Sequence, residues 1–161
     1  MNNQQLSTLK AAILAETDPA FVALRNSGAT GAMASFYNID SAFVVRKRSV
    51  QSSEIGPVLN YVAMSSLTTA NRDRATTFLL LNAQDFSPTA DIESYWDSTF
   101  SGALGGQGQA TRDALVALWR RLATRGEQLF ATGTGTTAAP GTLVFEGSVR
   151  NDDIVQAINL P

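Results

Sequence analysis

Apolar residues recur at helical spacing along most of the chain. Leu6, Leu9 and Ile13 share one face and predict a first helix, with Ser7 or Thr8 near its start. Asp18-Pro19 marks a second start, with Asp as the cap and Pro in the first turn. Phe21, Val22 and Leu24 follow, and Asn26-Ser27-Gly28 ends that helix. A third short helix is predicted over about 30–37, with Met33, Phe36 and Tyr37 apolar. The pattern then changes. Phe43-Val44-Val45-Arg46-Lys47-Arg48-Ser49-Val50 is β-branched and predicts an extended segment.

Ser52 or Ser53, backed by Glu54, opens a further helix carrying Ile55, Val58, Leu59 and Val62, with Gly56-Pro57 in its first turn. After a break at Ser65–Thr69, a helix over about 70–83 buries Ala75, Phe78 and Leu79. Ser87-Pro88 begins another, with Ile92, Tyr95, Trp96 and Phe100. Residues 102–108 hold four glycines and read as a loop. The longest predicted helix runs over about 109–131 on a stripe of Leu115, Leu118, Trp119, Leu122, Leu129 and Phe130. Residues 132–141 are rich in Gly, Thr and Ala and predict a flexible linker or arm. Thr142 to Gly147 alternates like a strand, and Asn151 is expected to cap a last helix with Ile154, Val155 and Ile158 apolar.

The expected fold is therefore mainly α: a compact bundle of about five to seven helices with one or two short extended segments. A helical domain is expected over 1–131, and a Gly/Thr-rich arm, short strand and C-terminal helix over 132–161. The two extended segments suit pairing with each other or with a neighbouring subunit by strand addition. Candidate interaction residues are Arg46, Lys47 and Arg48 at the first segment and Leu143 and Phe145 at the second.

Composition narrows the chemistry. The 161 residues include no His and no Cys, and Lys only at positions 10 and 47. Neutral-pH proton carriers, thiolate nucleophiles and soft-metal ligands come mostly from those types. Charged residues make up only 16%, a low share that suits a surface packing on copies or partners. The net charge of −2 gives no global field toward nucleic acid. The opening residues lack a basic region before an apolar stretch, so no signal peptide is expected, and Phe78 to Leu81 is too short to span a bilayer.

Several patterns suggest chemistry and are outweighed. Arg46-Lys47-Arg48 suits phosphate or an acidic partner, but three cations without nearby aromatics in an acidic chain favour a solvated loop or edge strand guarded by charge. Arg112, Arg120, Arg121 and Arg125 would form a cationic face on the long helix, although core-spaced apolar residues interleave with them. Asp85, Asp91, Glu93 and Asp97 cluster in sequence without the spacing of a Ca²⁺ loop and suit a helix start. Gly133 to Thr137 lacks the Lys of a phosphate-cradling loop. No catalytic residue, cofactor or metal is expected.

The stretch Leu129-Phe130-Ala131-Thr132-Gly133-Thr134-Gly135-Thr136-Thr137-Ala138-Ala139-Pro140-Gly141-Thr142-Leu143-Val144-Phe145-Glu146-Gly147, with Asp152-Asp153-Ile154 after it, forms one pattern. Leu6, Leu9-Lys10, Asp18-Pro19-Ala20 and Gly31-Ala32 form another. Together they resemble the small, mostly helical virion-associated proteins of tailed bacteriophages. That resemblance implies a non-enzymatic structural component of the tail or head–tail junction. It would be soluble in the host cytoplasm before assembly, then held in the virion by homo-oligomeric packing and contacts with other virion proteins. The alternative is a small DNA-binding or regulatory protein using Arg46-Lys47-Arg48 and the Arg120–Arg125 helix. A carboxylate hydrolase built on Asp91, Glu93 or Asp97 ranks last.

Overall fold

A computed structural model describes residues 1–47, 50–80, 98–100 and 105–161 of the chain. Among the described residues the protein is mainly helical, at 58%. In chain order the elements are α1 (Asn3–Ala15), α2 (Pro19–Asn26), α3 (Thr30–Tyr37), β1 (Asp40–Arg46), α4 (Ser52–Ile55), a 3₁₀ turn (Gly56–Val58), α5 (Tyr61–Ser65) and α6 (Thr69–Leu80). There follow α7 (Gly105–Leu118), β2 (Arg120–Thr124), α8 (Arg125–Gln128), β3 (Ala131–Thr132), β4 (Thr142–Leu143) and α9 (Asn151–Asn159).

The helices are shared between two compact units. The first comprises Met1–Val45 and Leu122–Pro161, and the second Arg46–Arg121. The boundaries thus fall near 45 and 121, whereas the sequence pattern placed one at 131. The reason lies in the C-terminal segment, which belongs to the first unit's core. Val149, Ile154 and Ala157 are buried together with Leu6, Leu9, Ile13, Phe21, Met33 and Tyr37. Burying each large apolar side chain contributes about 1.5–3 kcal/mol, so α9 is a structural wall of this unit.

Local signals explain the first unit's helices. Asn2 caps α1 by accepting the Gln5 N–H at 2.9 Å, and the Gln5 side chain accepts the Asn2 N–H at 2.9 Å. This reciprocal box starts α1 earlier than Ser7. Asp18 accepts the N–H groups of Ala20 and Phe21, with Pro19 in the first turn of α2, as its sequence indicates. The start of α9 is held by Asp153, whose Oδ2 accepts the Arg150 N–H at 2.8 Å. Asn151 is the first helical residue rather than the cap. Phe21, Phe36 and Tyr37 pack as a ring cluster, with centroids 4.6 to 5.7 Å apart and tilted or edge-on planes.

The long helix expected over 109–131 is three elements. α7 ends at Leu118, β2 follows, and α8 begins after Thr124. A capping box drives the restart: Thr124 Oγ1 accepts the Glu127 N–H at 3.1 Å and Glu127 Oε2 accepts the Thr124 N–H at 3.0 Å. Leu122, placed by the helical pattern in the buried stripe, is 46% exposed. α7 also begins within the glycines read as a loop, with Gly108 buried in it.

β1 pairs with β2 and β3 with β4. The β3–β4 pair is antiparallel, with Ala131 opposite Leu143 and Thr132 opposite Thr142. Its loop folds back on β1: the Val44 N–H donates to Gly135 O at 2.7 Å and the Gly141 N–H to Val44 O at 2.8 Å. The first extended segment read from sequence thus meets the end of the Gly/Thr segment, just before the second, at one parallel bridge, Val45 with Gly141. The Phe43 ring fills the space where side chains at 135 and 141 would sit: a Cβ at either position would lie within 2.3 Å of it. The glycines of this segment seat a ring, where composition alone suggested a loose linker.

In the second unit, Val50, Ile55, Leu59, Leu67, Ala75, Phe100, Leu115 and Trp119 form the core. The helix expected to run from Ser52 to Val62 is divided. Pro57 sits in the 3₁₀ turn, and Asn60 caps α5 by accepting the N–H groups of Val62 and Ala63. Phe78 and Leu79 lie in α6. The helix expected around Tyr95 and Trp96, and the acidic group Asp85, Asp91, Glu93 and Asp97, lie outside the described residues.

Candidate functional site

The five expected interaction residues do not share one unit. Arg46 ends β1 and Lys47 follows it, both in the second unit. Lys47 Nζ donates to Glu54 Oε1 at 3.3 Å, while the Gln51 N–H donates to Glu54 Oε2 at 2.8 Å. The Gln51 bond, then the Lys47 contact, holds the Glu54 carboxyl below its usual pKa. Lys47 is thereby engaged with the start of α4. Arg48 lies outside the described residues.

Leu143 and Phe145 belong to the first unit and are half-buried there. Leu143 pairs with Ala131 across the small sheet, and Phe145 packs edge-on against Phe130 at 5.4 Å. Val144 between them is 66% exposed. The alternation read from sequence is present, with its two larger residues facing their own subunit.

The arginines placed on one helical face are dispersed. Arg112 is on α7, Arg120 and Arg121 on β2, and Arg125 on α8. They do not share one helix, because α7 ends at Leu118 and the strand β2 precedes α8.

The first unit carries a cleft of about 610 Å³ that the sequence pattern did not indicate. Its walls include Glu16 from the end of α1, Phe36 and Tyr37 from α3, Asp40 from β1, and Arg125 and Leu129 at α8. Each charged group is placed by local structure. Glu16 Oε1 accepts the N–H groups of Thr17 and Asp18 at 2.9 and 3.0 Å, fixing it at the α1–α2 turn. The Arg125 guanidinium carbon lies over the Phe36 ring at 4.1 Å from its centroid, a cation–π contact that anchors it at the wall. Among the described residues no carboxylate forms an ion pair with Arg125, and no cation pairs with Glu16 or Asp40.

Tyr37 is almost wholly buried, and among the described residues its hydroxyl has no hydrogen-bond partner. Burial pushes its pKa up to about 12, with the negative charge of Glu16 adding to the rise and Arg25 opposing it. The Thr124-x-x-Glu127 spacing was the sequence signal that could have separated Arg125 from the long helix. Nothing in the sequence signals that Glu16, Asp40 and Arg125 meet.

Among the described residues there is no cluster of three His, Cys, Asp or Glu arranged for a metal ion, and no helix long and apolar enough to cross a membrane. Comparison with protein-family models, with curated proteins and with solved structures finds no match to this chain.

Proposed function

We propose that this chain is a non-enzymatic structural subunit of a tailed-phage virion, at the tail or head–tail junction. It works by packing against copies of itself and against other virion proteins. The virion assignment rests on the sequence resemblance at both ends of the chain. The packing mode is supported chiefly by α9. Ile154 and Ala157 are buried on one side of this helix, while Val155 and Ile158, three residues apart and so on one face, are 38% and 42% exposed. A helix with a second apolar edge in solvent is suited to a further partner. A residue vocabulary without His or Cys fits a role in shape and contact.

The test pairs particle composition with solution mass. The protein is expected in purified virions at a stoichiometry matching particle symmetry, and the recombinant chain is expected to self-associate in light scattering. Val155→Asp with Ile158→Asp should reduce self-association and leave helicity unchanged. A monomer that is absent from particles and binds DNA with a steep salt dependence would overturn the proposal.

A further inference from the structure

We propose that the cleft of the first unit binds a small basic zwitterion, with one carboxylate and two cationic groups as free arginine or lysine presents them. This does not depend on the assembly reading. The argument begins with charge. Glu16, Asp40 and Arg125 line one cleft, and none of the three is paired with an opposite charge among the described residues. A single cation would meet Arg125, and a single anion would meet the two acids. A ligand carrying one anion and two cations complements all three.

The geometry supports the same division. The Arg125 guanidinium, whose Cζ lies 4.1 Å from the Phe36 ring centroid, carries the N–H fork that matches a carboxylate bidentately. The Glu16 carboxylate, fixed by the Thr17 and Asp18 N–H groups, keeps lone pairs for an ammonium or guanidinium N–H. Phe36 and Leu129 give apolar wall for an aliphatic stem. The volume of about 610 Å³ is in the range of small-molecule sites.

The experiment titrates the full chain with arginine, with agmatine (no carboxylate) and with citrulline (no side-chain charge), followed by calorimetry and by NMR. Arginine is expected to saturate, with agmatine and citrulline about tenfold or more weaker. Arg125→Gln should bring arginine down to the level of agmatine and leave agmatine unweakened. Asp40→Asn, an exposed position that does not threaten the fold, should weaken arginine about tenfold. Glu16→Gln, which keeps an oxygen to accept the Thr17 and Asp18 N–H groups, should weaken arginine by a similar factor. Failure of arginine to saturate by roughly 10 mM, or equal binding of arginine and agmatine, would overturn the proposal.

Discussion

Asn38 holds Val149 by both of its main-chain groups. Its Nδ2 donates to Val149 O at 2.9 Å and its Oδ1 accepts the Val149 N–H at 2.8 Å. One side chain at the end of α3 thus does what a strand neighbour would do, and delivers the chain to α9. Asn38→Ala removes both bonds and leaves two partly buried backbone groups unmatched. The expected cost is about 2–3 kcal/mol, read as a lowered urea midpoint with unchanged slope. An unaltered midpoint would show that α9 docks without this clasp.

Gly126 is the second point at which the C-terminal segment is fitted to α3. A Cβ there would lie 2.5 Å from Val149 Cγ2 and 3.2 Å from Tyr37 O. Helix propensity alone makes Gly→Ala favourable by about 1 kcal/mol. Overpacking costs about 1–3 kcal/mol and should win, so Gly126→Ala is expected to destabilise. Gly31→Ala, whose nearest neighbour would be Asn151 Oδ1 at 3.9 Å, should be neutral or stabilising by about 0.5 kcal/mol. Val149→Ala should recover part of the Gly126→Ala loss in a double-mutant cycle.

The hairpin loop over Phe43 predicts a protease phenotype. Gly135 has φ +63° and would place a Cβ 2.1 Å from the ring, so Gly135→Val meets both a backbone penalty and a clash. The loop should leave β1, and cleavage within 133–141 should rise at least several-fold in limited proteolysis. Phe43→Ala in the same background should relieve the clash and leave only the backbone strain, of order 1–2 kcal/mol.

Tyr37 predicts loss of stability in alkali. Its pKa rises from the ordinary 10.0 to about 12 in the folded protein, so between these values the folded state holds a proton that the unfolded state has lost. The contribution is fully present below pH 10 and is lost as pH rises toward 12. The expected decline is roughly 2 kcal/mol, measured by urea unfolding at stepped pH. Tyr37→Phe should remove this component of the slope; an unchanged slope would assign the decline to other groups.

The placement of the second unit between β1 and β2 predicts that it can be excised. Ser41 Oγ donates to Ala123 O at 2.8 Å and the Arg125 N–H to Ile39 O at 2.9 Å, so these strands hold each other within the first unit. Joining Arg46 to Arg120 through a short Asn-Gly turn should yield a protein that unfolds in one cooperative step. Absence of such a transition would show that residues 47–119 are needed for that core.

Much of the local structure was legible because short-range signals carry it. The Asp18-Pro19 start, the α3 span and the buried stripe Leu6, Leu9, Ile13 depend on residues within a few positions of one another. The break at Trp119 was obscured because Leu122, Leu129 and Phe130 continue a helical spacing by coincidence. Leu122 faces solvent, and Leu129 and Phe130 pack against the first unit's core. The Gly/Thr segment misled for a related reason, since composition cannot separate glycine chosen for freedom from glycine chosen for the room it leaves a ring. The cleft was invisible because its charged walls come from positions 16, 40 and 125, which only the tertiary fold brings together.

The discontinuous first unit has a consequence for synthesis. Its opening helices emerge from the ribosome well before Val149, Ile154 and Ala157 exist to cover them, whereas the intervening unit is contiguous and its partners are already made. The inserted part is therefore free to mature first, and Leu9, Ile13 and Met33 must stay uncovered on that side until residues 149–157 have been made. A nascent chain stalled near residue 130 should engage holding chaperones that the released protein no longer needs.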